Sequence, residues 1–257
     1  MSECKPISTP YDSGCKPTKA EEDQDVDETL YRKLVGSLIY LTNTRPDIAY
    51  VVSMVSQFMA KPKQIDWKAA KQILRYVQGT LRFGILYGRQ DDLKLQGYVD
   101  VDWARDAEDR RSTTRYVFSL GSGAISWSSK KQHTIALSST EAEYRATTSA
   151  TCEAIWLRRI LHDLHMVQDS PMVLQCDNKS CIKLAKNPVF HSRTKHIEVQ
   201  QHFFREKIQS GEVELIYCPT EEQVANIFIK GLGKEKFQKF RELLGVLDKK
   251  VKIKGEC

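Results

Sequence analysis

Several things are scarce in this sequence, and each scarcity excludes something. The seven cysteines are scattered and odd in number, with no Cys-x-x-Cys pair. That argues against a disulfide frame or a zinc site and for reduced intracellular thiols. No apolar run approaches the ~20 residues a membrane span needs, and the polar N-terminus has no signal-peptide pattern. The expectation is a cytoplasmic or nuclear protein without a membrane partner. No internal repeat is visible. Charge of one sign is barely in excess: 39 basic against 33 acidic residues give a net +6. Such a balance suits a polyanion partner without requiring one.

What is present describes an ordinary globular chain. Its 257 residues, 41% apolar and 28% charged, suffice for one large domain or two small ones. Residues 1–27 are polar and aperiodic and are expected to form a disordered lead-in. Three helical stretches follow. The first, Glu28–Asn43, repeats Leu30, Leu34, Leu38 and Leu41, with Gly36 as a point of close packing. Thr44-Arg45-Pro46-Asp47 reads as a capped start, with Thr44 as N-cap and Asp47 as a first-turn acid. The second helix carries Ile48, Val52, Val55 and Phe58; the third carries Trp67, Ala70, Ile73 and Val77 and ends at Gly79. Phe83–Tyr87 reads as a strand.

From Leu93 the period changes to two. Leu93, Leu95, Gly97 and Val99 alternate with Lys94, Gln96, Tyr98 and Asp100, as in a strand between unlike surroundings. Arg115–Ser128 has the pattern of a hairpin turning at Gly121-Ser122-Gly123. A long helix is expected over Ser139–His165, then a strand Met172–Cys176 and a helix Lys179–Lys186. A helix Ile197–Gln209, a strand Val213–Tyr217, and helices Glu221–Leu232 and Lys236–Leu244 complete the pattern, followed by a loose lysine-rich tail. The fold class is α/β, with a mixed sheet.

Acids gather at the ends of these elements. Asp100 and Asp102 share one strand face, and like charges held that close raise each other's proton affinity unless a cation sits between them. Ser138 and Glu141 fit a capping box, which accounts for Glu141. Glu143 has no such explanation, and a carboxylate facing a core needs a partner. Asp177 ends a strand and opens a helix, as an N-cap or as a ligand. Asp100, Glu143 and Asp177 together form a hard oxygen set suited to Mg²⁺ or Mn²⁺. Lys130, Lys131, Arg110 and Arg111 are phosphate contacts or a solvated face. Arg193, Lys195, His196 and His202 could touch phosphate, and Trp103 and Trp127 are packing residues or stacking platforms.

Long stretches of the chain resemble one family. They include Tyr31-Arg32-Lys33-Leu34-Val35-Gly36-Ser37-Leu38, Gly97-Tyr98-Val99-Asp100-Val101-Asp102-Trp103-Ala104 and Ser126-Trp127-Ser128-Ser129-Lys130-Lys131-Gln132. Ala136-Leu137-Ser138-Ser139-Thr140-Glu141-Ala142-Glu143-Tyr144 and Arg193-Thr194-Lys195-His196-Ile197 continue the match. The resemblance is to the C-terminal part of the Pol polyprotein of copia-type LTR retrotransposons. It implies a helical reverse-transcriptase remnant over residues 28–90, a ribonuclease H-like domain with a five-stranded sheet over 93–245, and a basic tail over 246–257.

The implied activity is hydrolysis of the RNA strand of RNA–DNA hybrids by two Mg²⁺ ions about 4 Å apart, with Mn²⁺ as a substitute. Asp100, Glu143 and Asp177 match the family's first three catalytic acids and its metal ligands, with Asp102 as an alternative to Asp100. The fourth acid is replaced by Asn226, and Arg115 stands where the family usually has glycine. The polymerase palm is absent from the sequence, so no polymerase activity is expected, and the rest of a reverse transcriptase is an implied partner. A catalytically inactive nucleic-acid-binding or interaction domain is the alternative. Two spatial expectations follow. The three carboxylates should converge with Asn226 beside them, and Ile48, Val52, Val55 and Phe58 should form an exposed apolar patch.

Overall fold

The computed structural model describes residues 4–11, 23–88, 93–103, 110–186 and 198–249. The chain divides into two compact units, one formed by Met1–Gly88 with Lys230–Cys257, the other by Arg89–Ile229.

The first unit begins with helices α1 (Glu28–Leu41), α2 (Ala49–Ser56) and α3 (Gln64–Gly79). Asp27 caps α1, its carboxylate accepting from the amides of Thr29 and Leu30. The buried stripe of α1 is Tyr31, Val35 and Leu38, one step round from the expected leucine stripe. Tyr31 wins the inward position because its hydroxyl donates to the Val55 carbonyl at 2.8 Å while its ring is buried. Leu30 is instead 50% exposed, and Gly36 has open space around it. The expected apolar patch on α2 is absent: Ile48, Val52 and Val55 are buried and Phe58 is half-buried. Helix α2 packs against both α1 and α3, so its apolar residues are spent inside the unit.

Thr44 does not act as an N-cap; its hydroxyl donates to Leu41, and Pro46–Ile48 is a 3₁₀ turn. Arg45 and Asp47 instead form a buried bidentate pair, with Nε–Oδ1 at 2.9 Å and Nη2–Oδ2 at 2.8 Å. Tyr76 donates to the same carboxylate at 2.6 Å, and Arg45 also reaches the Thr80 hydroxyl and carbonyl. The end of the chain joins this unit. Strand β1 (Phe83–Ile85) pairs antiparallel with β7 (Val246–Asp248), and helix α7 (Lys234–Leu243) packs Phe237 edge-on to Tyr76. The start of the presumed basic tail is thus a strand.

The second unit holds β2 (Leu95–Asp102), β3 (Thr113–Leu120), β4 (Gly123–Lys131), β5 (Met172–Cys176) and β6 (Val213–Tyr217). Their order is β4-β3-β2-β5-β6, with β2, β3 and β4 antiparallel and β2, β5 and β6 parallel. The expected hairpin turn is present, with Gly121 at φ 59°. Helices α4 (Ser139–Asp163), α5 (Lys179–Lys186) and α6 (Glu198–Gln209) complete the unit. Glu221–Leu232 forms no α-helix; a 3₁₀ turn over Val224–Phe228 takes its place.

Small residues set how closely these layers meet. Ala142, Ala146, Ala150 and Ala154, spaced by four, are fully buried along one line of α4. The buried Thr147, Thr148 and Thr151 return their hydroxyls to carbonyls one turn back. Gly97 is required in β2, because a Cβ there would lie 2.5 Å from the Phe118 ring. Among the described residues no helix is long and apolar enough to cross a membrane.

Removing one partner of a buried ion pair leaves the other uncompensated. Asp47→Ala is therefore expected to lower unfolding free energy by about 3–5 kcal/mol in urea melts. A loss within the ~0.5 kcal/mol usual for surface substitutions would show that the pair does not hold this unit together.

Candidate metal centre

Each candidate acid is delivered by a different element. Asp100 lies near the end of the central strand β2, Glu143 in the first turns of α4, and Asp177 directly after β5. Capping is handled by their neighbours. Ser138 Oγ accepts from the Glu141 amide, and Glu141 accepts from the Leu137 amide and pairs with Arg145. Helix α5 is capped by Asn178, whose Oδ1 accepts from the Cys181 amide at 2.9 Å. Asp177 therefore does not serve as the cap. It accepts a hydrogen bond from Thr220 Oγ1 at 3.0 Å.

Glu143 is 6% exposed, and its Oε2 has no hydrogen-bond partner among the described residues. Ligand atoms of Glu143, Asp177 and Cys176 all lie within 4.8 Å of one another. Burial, followed by the neighbouring Cys176, Asp100 and Asp177, pushes the Glu143 carboxyl up to about 10. Without a cation this group holds its proton at neutral pH. Cys176 was not singled out from the sequence; its place in the Met172, Leu174, Cys176 buried row was the available signal. Hydrogen bonding to Cys181 and burial hold its thiol well above the ordinary value. The charged donors here are oxygens, and an orphaned buried carboxylate oxygen beside a second carboxylate fits a hard cation.

Asp100 accepts from the Val101 amide at 2.7 Å and lies opposite Arg115 in the β2–β3 ladder. Directly opposed residues share a sheet face. The buried Arg115 guanidinium reaches Asp102 at 3.7 Å on one side and Ser129 at 3.2 Å on the other. Asp102 is thus engaged by Arg115, while Asp100 acts electrostatically on Glu143.

Asn226 sits in the 3₁₀ turn, 2% exposed, and its amide donates to the Thr220 carbonyl at 3.1 Å. Thr220 in turn holds Asp177, and Gln223 donates to the carbonyl of Val99, the residue before Asp100. The segment 220–226 therefore ties the ends of β5 and β2 together.

Lys130 and Lys131 are exposed at the end of the edge strand β4. Lys131 shares a ladder row with Thr113 and Asp102, two strand spacings of about 5 Å from that acid. Lys130 lies in the next row and points to the opposite face. Trp103 is half-exposed, its indole donating to the Ala136 carbonyl at 3.5 Å. Arg193, Lys195 and His196 lie outside the described residues.

Three antiparallel strands continuing into two parallel ones, with the central strand and its parallel neighbour ending in acids, define an α/β domain built on a mixed five-stranded sheet. No protein-family model matches the chain. It is 42% identical over its whole length to the retrovirus-related Pol polyprotein from transposon RE2 of Arabidopsis thaliana, covering 17% of that protein. To the Pol polyprotein from transposon TNT 1-94 of Nicotiana tabacum it is 41% identical over 96% of this chain and 19% of the relative. Among solved structures, the LC11 ribonuclease H1 isolated from compost aligns with a TM-score of 0.40 at 15% identity, over 57% of this chain and 96% of that one. The chain belongs to the copia-type retrotransposon Pol polyproteins. It spans less than a fifth of the length of these two polyproteins.

The Glu143 carboxyl is ordinary in the unfolded chain and raised to about 10 in the fold. The stability it contributes is complete below its unfolded value near 4.5 and is lost as pH rises towards 10. In EDTA, Glu143→Gln should therefore gain about 4 kcal/mol on the natural chain between pH 5 and pH 8, read from urea midpoints. Parallel pH dependence in the two proteins would contradict the buried, unpartnered carboxyl.

Proposed function

We propose that this chain is a metal-dependent nuclease module acting on the RNA strand of RNA–DNA hybrids. The observation that carries the reading is the buried, unpartnered Glu143 carboxylate facing Asp177, with Asp100 within electrostatic range. Glu143, Asp177 and Asp100 would hold a divalent cation, Mg²⁺ or Mn²⁺. Bound there, such an ion supplies positive charge against the phosphate and makes water a better nucleophile.

The chain's own groups prepare that site. On binding a cation, Glu143 would release its proton to solvent and meet the ion as a carboxylate. Thr220 orients Asp177, and Gln223 fixes the segment that carries Asn226 against β2. Lys131, on the same sheet face as Asp102, is placed to attract the backbone of a bound strand. A second ion, as the family's full acid set implies, would be held weakly on the side of Asn226, which brings a neutral oxygen in place of a charge.

Asn226 also favours the second reading, a domain that binds nucleic acid without cutting it. Hybrid cleavage separates the two. The natural chain should cleave faster in Mn²⁺ than in Mg²⁺, since Mg²⁺ is stricter in geometry and sheds water reluctantly. Asn226→Asp should raise the Mg²⁺ rate about tenfold or more, equivalent to about 1.4 kcal/mol in the barrier. Adding Asp177→Asn should abolish that gain. A folded, hybrid-binding Asn226→Asp protein inert in both metals would overturn the nuclease reading.

A further inference from the structure

We propose that the acid cluster takes one divalent cation, and that the Arg115 guanidinium permanently supplies positive charge on its Asp100–Asp102 side. This rests on the metal-site reading above and concerns how many ions that site accepts.

Three observations carry it. Arg115 lies directly opposite Asp100 in the ladder, so the two share a face. Its Nη1 stands 3.7 Å from Asp102 Oδ2, and its Nε is fixed by Ser129. The side chain is 6% exposed, and a guanidinium stays charged at every accessible pH. The positive charge is therefore built into the strand and does not come and go with solution conditions.

The charges of these residues then limit occupancy. Asp100, Asp102, Glu143 and Asp177 bring four negative charges when ionised, Arg115 returns one, and Asn226 brings none. One dication on the Glu143–Asp177 side leaves the cluster with a single negative charge. A second would make it positive, next to a fixed guanidinium and with no carboxylate at 226 to receive it. Repulsion between charges a few ångströms apart in a partly buried site is worth several kcal/mol. The orphaned Glu143 oxygen marks where the one ion belongs.

The test counts ions on the full chain, without any assay of cleavage. Metal-stripped protein is titrated with Mn²⁺, and free Mn²⁺ is read by electron paramagnetic resonance. One saturable ion per chain is expected for the natural sequence. Arg115→Gln combined with Asn226→Asp should take two, because it removes the fixed cation and restores a charged ligand. Arg115→Gln alone should bind its one ion about tenfold more tightly.

A second ion on the natural chain, binding within tenfold of the first, overturns the proposal while leaving the metal-site reading intact. The same holds if the folded double variant still takes only one. No saturable Mn²⁺ sensitive to Glu143→Gln overturns both. The natural chain's count decides the matter even if the double variant fails to fold.

Discussion

A carboxylate oxygen buried without a donor disfavours ionisation, and Oε2 of Glu143 is such an atom. Either it keeps its proton, as its raised proton affinity shows, or a cation takes the proton's place. The rest of the second unit is arranged around that choice. The alanine line of α4 lets the helix lie close to the sheet, which brings Glu143 to the ends of β2 and β5. Asn178 takes over the capping of α5, which leaves Asp177 to turn towards Glu143 and Thr220. A protein needing only stability would gain by replacing Glu143 with an apolar residue. Its presence is a cost that a bound cation would remove.

Much of this was legible in the sequence because the signals are local and periodic. Alternation gave β2 and β5, the glycine turn gave the β3–β4 hairpin, and Ser138 with Glu141 gave the start of α4. What local patterns could not give was anything decided at long range. Arg45 and Asp47 looked like the flank of a helix start, yet their partners Tyr76 and Thr80 lie some thirty residues away. The pairing of β1 with β7 joins segments more than 160 residues apart, so no window reveals it. The apolar stripe of α2 looked available for an absent partner, but α1 and α3 cover it.

The candidate site shows the same division. Residue type and position at element ends singled out Asp100, Glu143 and Asp177. Sequence alone left open whether Asp177 caps a helix and whether Asp100 or Asp102 is the first metal ligand. The structure separates the first alternative through a neighbour, because Asn178 caps the helix; Arg115 stands beside both Asp100 and Asp102. Asn226 and Arg115 alter the same local charge in the same direction, one by omitting a negative group and one by adding a positive group. Under the proposal above, both lower the number of cations the site would hold.

The most direct measurement is a crystal soaked in Mn²⁺, with the metal located by its anomalous scattering. An ion is expected at about 2.0–2.3 Å from carboxylate oxygens of both Glu143 and Asp177, with Asp100 in its immediate surroundings. No ion at Glu143, or carboxylates of Glu143 and Asp177 turned about 10 Å apart in the ion's presence, would contradict a metal centre built on that buried acid.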